Sequence, residues 1–262
     1  MTDDDLFHRG LHFDLGTVMR RRRLLGLLAG AGAATLVGCS SSPTSTASDA
    51  SDGTCAEIPQ ETAGPYPGDG SNGPDVLTQS GIVRSDIRSS FGSASRVAQG
   101  VPLTINLTIV DTAKGCGAYA GAAVYLWHCD RDGAYSLYSP GVTGENYLRG
   151  VQAADGTGLV TFRSIFPGAY SGRWPHVHFE VYGDLASATS ARGKVATSQL
   201  ALPQAICQTV YASDGYSASA GNLARSSLTT DMVFGDDGGV HQLATVTGSV
   251  ASGLVANLTV PV

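Results

Sequence analysis

Between Leu103 and Ile109 the chain alternates Leu103, Ile105, Leu107 and Ile109 with Thr104, Asn106 and Thr108, the period of two expected when one face of a strand is buried. Shorter β-branched or aromatic runs follow at Ala123 to Cys129, Leu159 to Ile165, His176 to Tyr182, Ser198 to Leu202, Gln242 to Ser249 and Leu254 to Val260. Turn clusters such as Asp132-Gly133, Asp155-Gly156 and Asp236-Asp237-Gly238-Gly239 separate them. Strands at this spacing predict an all-β chain, an antiparallel β-sandwich with long loops. Composition points the same way: 34 of 262 residues are Gly and only three are Met, which suits turns better than long helices. Helix is expected only as short pieces near Ala205 to Tyr211 and Asn222 to Ser226.

The sandwich does not occupy the whole chain. Arg20 to Arg23 precede 14 uncharged residues, Leu24 to Val37, and then Gly38-Cys39. A basic head, a short apolar stretch and small residues form an export signal too short to span a bilayer. The paired arginines resemble a twin-arginine signal. Leu36-Val37-Gly38-Cys39 resembles a lipobox, whose Cys39 is acylated after cleavage; the alternative is an ordinary secretory signal with a chance Cys. Residues 1 to 18 precede a complete signal that begins with its own Met, so Met19 is the expected start. Residues 39 to 54 are mostly Ser, Thr, Ala, Asp and Gly, a tether composition that buries too little apolar area to offset chain entropy. That leaves residues 55 to 262 as one exported domain, with membrane contact only through a lipid on Cys39.

Net charge is −6, and without residues 1 to 38 the chain keeps 11 basic and 18 acidic residues. Such a surface excludes nucleic acid as a partner, because phosphate-tracking affinity comes from clustered Lys and Arg. Four cysteines remain in the domain: Cys55, Cys116, Cys129 and Cys207. An even count outside the cytoplasm suggests two disulfides, and of three pairings Cys55 with Cys116 and Cys129 with Cys207 is the one expected. A thiolate metal site competes poorly, since no C-x-x-C occurs.

Several familiar patterns fail. Gly68 to Gly73 fits G-x-G-x-x-G, but Pro65 and Pro67 stand where a buried strand is required. Asp130-Arg131-Asp132-Gly133 lacks the further oxygens and distal Glu of a calcium loop. No G-x-S-x-G, H-E-x-x-H or P-loop appears.

One constellation does not fail. In Arg173-Trp174-Pro175-His176-Val177-His178-Phe179-Glu180, a strand would place His176 and His178 on one face about 7 Å apart at Cα. Two imidazoles so placed can grip one metal; an H-x-H strand can equally be a polar outer face over an apolar one. Tyr170 stands six residues upstream, on a turn at Phe166-Pro167-Gly168-Ala169, and Trp127 to Tyr135 closes a strand and presents Tyr135 on the loop after it. Keeping a phenol ionised at neutral pH costs about 4 kcal/mol, so tyrosinates need a strong Lewis acid beside them. Two phenolates and a hydroxide balance the charge of iron(III), and two neutral His complete five ligands.

The order of these pieces resembles the intradiol ring-cleavage dioxygenases, the family of protocatechuate 3,4-dioxygenase and catechol 1,2-dioxygenase. The likeness spans nearly all of 55 to 262. It runs through Pro59 to Tyr66, Val83 to Arg88, Trp127 to Tyr135, Tyr147 to Gly150, Asp155 to Gly158, Phe166 to His178 and Ser198 to Leu200. The resemblance implies a non-haem Fe(III) cofactor, a catechol-type substrate and O2, with the ring opened between the two hydroxyl-bearing carbons to a muconate-type diacid. It implies that Tyr135 stays on the metal, that Tyr170 leaves when substrate arrives, and that His176 and His178 complete the set. Arg173 matches the family's active-site arginine and Gln199 its supporting glutamine, where the alternative for Arg173 is a surface salt bridge. Gly64 and Pro65 match a pocket-lining segment, although they can simply shape a turn.

The sequence also departs from the family. It has no helical N-terminal dimerisation segment, and only five residues separate Tyr170 from His176, where well-known members carry a longer loop. A more open site is expected, and with it a bulky plant-derived or lignin-related catechol, or a hydroxyquinol, as readily as a simple one. The alternative function is a surface-tethered, noncatalytic β-sandwich that binds carbohydrate or another partner.

Overall fold

The computed structural model describes residues 55 to 262. The expected export signal, Cys39 and the expected tether up to residue 54 lie outside the described residues. Among the described residues, no helix is long and apolar enough to cross a membrane.

The strands are β1 (Pro102–Asp111), β2 (Gly117–Ala118), β3 (Ala123–Trp127), β4 (Arg149–Ala153), β5 (Leu159–Ile165), β6 (His176–Tyr182), β7 (Lys194–Ala201), β8 (Thr245–Ser249) and β9 (Gly253–Pro261). Two short helices, α1 (Gln204–Tyr211) and α2 (Ser217–Leu223), follow β7. One sheet runs β2-β1-β9-β8 with β5 also on β1, and the other runs β4-β3-β6-β7. Leu103, Ile105, Leu107 and Ile109 of β1 meet Val124, Leu126, Val177, Phe179 and Val181 of the second sheet in the inter-sheet core. The all-β sandwich read from the alternation is therefore the fold.

Its details differ from expectation in four places. The sheets are not purely antiparallel: β9 pairs with β1 in parallel, Leu103 opposite Leu254 through Val110 opposite Pro261. The chain returns from its long excursion after β7 by a β8-β9 hairpin whose turn lies at the starting end of β1. β8 begins at Thr245 rather than Gln242, because Gln242 O and Ala244 N bond Ala201 of β7 instead. The second helix lies upstream of its expected place, where Ser219 and Leu223 at i, i+4 give it a buried side. β4 escapes the pattern because a buried Arg149 and a Gly interrupt its apolar run.

The pairing of Cys55 with Cys116 is present. The pairing of Cys129 with Cys207 is not: both are buried free thiols. Cys129 packs in a cluster with Trp127 and Tyr135 on the outer side of the β3-β6 sheet, whereas Cys207 belongs to the inter-sheet core. Each sulfur donates locally, to Gly168 O at 3.4 Å and Leu202 O at 3.8 Å respectively.

The sandwich has two unlike poles. β3 ends, β6 begins and β5 ends at one of them, and the loop Phe166 to Pro175 follows there. The disulfide, Asp111 and the C-terminal Val262 gather at the other. From Cys55 the chain crosses between them along the free edge of β7, with Ile58 N bonded to Pro261 O, Ser198 Oγ to Pro59 O, and Glu61 N to Thr197 O. This crossing delivers residues 62 to 66 to the first pole.

Candidate metal centre

Each of the four predicted ligands is held by a different local device. Tyr135 sits on a loop tied by Asp130, whose Oδ1 accepts from Asp132 N at 3.0 Å and Ala134 N at 2.9 Å while Oδ2 accepts from Tyr147 Oη at 2.8 Å. That carboxylate is a turn brace, and the calcium reading of this segment finds no support in its partners. Tyr170 stands on a loop pinned from α1 and α2. Tyr211 Oη donates to Pro167 O, Tyr216 Oη to Phe166 O, Asn222 Nδ2 to Ala169 O, and Ala169 N to Ser219 Oγ. Gly168 in that loop has no room for a side chain, since a Cβ would run into Arg131 O.

His176 and His178 project from the start of β6, and every residue of this strand is buried. The polar-outer-face alternative for the H-x-H run is thereby overturned. Val177, Phe179 and Val181 enter the inter-sheet core while the imidazoles face the outer cluster. The His178 ring stacks on Trp127 at 4.9 Å and 6°. His176 Nδ1–H donates to Trp174 O at 2.5 Å, which fixes its tautomer and turns the Nε2 lone pair outward.

The tips converge. Tyr170 Oη lies 3.3 Å from Tyr135 Oη and 3.2 Å from His176 Nε2, Tyr135 Oη lies 3.4 Å from the same nitrogen, and the two His Nε2 atoms are 3.0 Å apart. Ligands bound about 2 Å from one ion at angles near those of a tetrahedron or octahedron stand about 3 Å from one another. Burial, then the Arg173 charge, pushes His176 down to about 3. Burial and the neighbouring imidazole hold His178 far below its usual range. Burial, then Tyr170, holds the Tyr135 phenol well above its own. The set left to itself is thus two neutral imidazoles and an un-ionised phenol at Tyr135. His178 Nδ1 is also buried without a hydrogen-bond partner among the described residues. Neutral nitrogen donors beside phenols that ionise only against a concentrated positive charge fit ferric iron. No cluster of three or more His, Cys, Asp or Glu is placed to hold a metal among the described residues; the convergent set adds two tyrosine oxygens to the two His.

Arg173 and Gln199 are at the site, and Arg173 is not in a surface salt bridge. Its guanidinium is buried, donating from Nε to Asp231 Oδ2 at 3.0 Å and from Nη2 to Gln199 Oε1 at 2.7 Å. Gln199 pairs with His178 across β6 and β7, and its Nε2 donates to Thr62 O at 2.9 Å. Gly64 is more than a turn former: its φ is +70°, and a Cβ on it would lie 3.3 Å from His178 Cε1. Pro65 follows, half-buried, and the Tyr66 ring packs 5.0 Å from that of Tyr135. Arg149 fixes this segment by donating to Tyr66 O and Pro67 O at 2.9 and 2.7 Å.

Sequence reasoning missed Asp231, Thr62 and the structural part of Arg149. Asp231 lies in a Ser/Thr-rich stretch with no recognisable spacing to Arg173; the one available signal was that an arginine buried beside a cation needs a counter-charge.

The sequence matches no protein-family model and no curated protein. The fold does match solved structures. An intradiol ring-cleavage dioxygenase from Tetranychus urticae superposes with a TM-score of 0.61 at 24% identity, over 79% of this chain and 94% of that one. The dioxygenase domain of a dioxygenase and carbohydrate-binding protein fusion from Streptomyces sp. SirexAA-E gives a TM-score of 0.50 at 22% identity, over 79% and 98%. The chain has the β-sandwich fold of the intradiol ring-cleavage dioxygenases, with a Tyr-Tyr-His-His cluster at one pole.

Proposed function

We propose that the domain is a non-haem iron(III) dioxygenase that cleaves a catechol-type ring between its two hydroxyl-bearing carbons, using O2 and giving a muconate-type diacid. The observation that carries this reading is the convergence of Tyr135, Tyr170, His176 and His178 within 3.0 to 3.4 Å contacts. The shared fold supports it. A binding module has no physical need for two phenols aimed at the same point as two buried imidazoles.

Ferric iron held by these four side chains would supply the Lewis acidity that ionises phenols and draws electron density from a bound diol. The chain's own residues divide the remaining work. Tyr170 is half-buried whereas Tyr135 is 2% exposed, so Tyr170 is the phenol that can swing away and take a catechol proton onto its Oη. Tyr135 stays. His176 is held by its bond to Trp174 O, and His178 by its stack on Trp127. Arg173, braced on Gln199, offsets negative charge as it develops. Gly64 and Pro65 form the wall over His178 without filling it.

The short Tyr170 to His176 connection admits plant-derived or lignin-related catechols or hydroxyquinols as readily as catechol itself. A cleaved signal, a lipid on Cys39 and the Ser/Thr-rich tether would hold the domain outside the cytoplasm. The test is iron content and the visible spectrum of purified protein before and after anaerobic catechol, followed by O2 uptake across a catechol panel. The expected result is a reddish tyrosinate-to-iron band that shifts on binding, and a ring-opened diacid. A colourless, iron-replete protein overturns the proposal.

A further inference from the structure

Asp231 lies 58 residues beyond Arg173, and its side chain is fully buried. Oδ2 accepts from Arg173 Nε at 3.0 Å and from Trp174 N at 2.6 Å. Oδ1 accepts from Val233 N at 2.8 Å and Phe234 N at 3.2 Å, with a longer contact of 3.4 Å to Arg173 Nη2. Five donors on two oxygens make this a heavily bonded carboxylate near the candidate metal centre, and none of the five comes from a candidate ligand.

The contacts continue inward. Arg173 Nη2 reaches Gln199 Oε1, Gln199 Nε2 reaches Thr62 O, and Thr62 Oγ1 accepts from Gly64 N at 3.0 Å. Gly64 in turn lies against His178. One chain of hydrogen bonds thus runs from the loop before β8 through the Arg173 guanidinium to the wall over the metal position.

We propose that Asp231 is the positioning residue for Arg173, setting the plane of the guanidinium so that its Nη2 edge faces Gln199 and the His178 strand; this rests on the dioxygenase reading above. Two physical needs meet here. An arginine stem has many rotamers, and a planar fork becomes directional only when a partner fixes one edge. A guanidinium buried beside a highly charged cation is also electrostatically unfavourable unless a counter-charge accompanies it. Asp231 meets both through the Nε edge of Arg173.

The test uses the whole protein and two readouts. In 15N-labelled metal-free protein, the Nε–H resonance assigned to Arg173 by its loss in Arg173→Lys should be protected from water exchange, and Asp231→Asn should abolish that protection. In iron-loaded protein with catechol, Asp231→Asn should lower kcat about tenfold with little change in KM and no change in iron content or in the visible band. The double variant Arg173→Gln, Asp231→Asn should be no slower than Arg173→Gln alone. Additive losses in the double variant overturn the proposal, as does wild-type kcat in Asp231→Asn. Free exchange of the Arg173 Nε–H in the wild-type protein also overturns it, and that measurement needs only the assigning variant Arg173→Lys to fold, not Asp231→Asn or the double variant. A protected Nε–H that Asp231→Asn releases, in a protein showing no O2 uptake with any catechol, supports the positioning role while refuting the dioxygenase reading.

Discussion

Tyr135 and Tyr170 are the same side chain in different surroundings, and their variants should differ accordingly. Tyr135→Phe removes the fully buried donor, so iron content and the visible band should both fall. Tyr170→Phe should keep most of the iron and lose kcat by about 100-fold, because a proton acceptor has gone; metal analysis beside steady-state O2 uptake separates the two. Gly64→Ala places a Cβ against His178 on a backbone at positive φ. It should cost about 1–2 kcal/mol in urea denaturation and weaken iron retention. His128 offers a residue outside the ligand set with a clear pH signature. Its Nδ1–H donates to Cys129 O at 2.7 Å and its Nε2 accepts from Ser164 Oγ at 2.6 Å. Burial pushes it down to about 4. Unfolded chains take up this proton below about 6.5 and the folded protein does not until about 4, so stability falls as pH drops across that window, by about 1.4 kcal/mol per unit at most. Burial raises Glu61 to about 8 and Glu180 to about 7. Their stabilisation is present at low pH and is lost as pH rises through those values, the opposite slope. The histidine contribution is therefore read as the difference between wild type and His128→Gln in urea titrations from pH 4 to 7.

At the scale of elements, α1 and α2 serve the loop that carries Tyr170. The clearest handle is Tyr216, whose hydroxyl donates to Phe166 O at 2.7 Å and accepts from Val101 N at 3.0 Å. Tyr216→Phe leaves two buried backbone groups without that partner and should cost about 1–3 kcal/mol in denaturant midpoint experiments. Strand β6 shows how far sequence patterning reached. Its alternation placed Val177, Phe179 and Val181 on one face and the two His on the other, and the structure keeps that division. Patterning failed for β4, whose buried Arg149 is paid for by bonds to residues 66, 67, 125 and 136, partners that no local window contains.

Across the described residues, the disulfide and the Tyr-Tyr-His-His cluster occupy opposite poles of the sandwich. The Cys55–Cys116 bond closes a separation of 61 residues, for which chain entropy suggests about 4 kcal/mol as an upper figure. Replacing both cysteines by Ser should lower stability by roughly 2–4 kcal/mol. The visible band of iron-loaded protein should stay in place, because residues 59 to 66 remain bonded along β7 and to Arg149. A spectrum that shifts with the disulfide would mean that the far pole controls the site.

Residue order alone determined the period-two strands and the division of β6 into an apolar face and a histidine face, and it singled out Tyr135, Tyr170, His176 and His178 as the expected donor set. These are properties of short windows and of donor chemistry, which a linear chain carries. Tertiary structure alone decided the parallel β1-β9 pairing, the free thiols of Cys129 and Cys207, and the counter-charge that Asp231 brings to Arg173. Each of these depends on which distant segments pack together: a local pattern fixes which face of a strand is apolar, but not what the burial of that face brings alongside it.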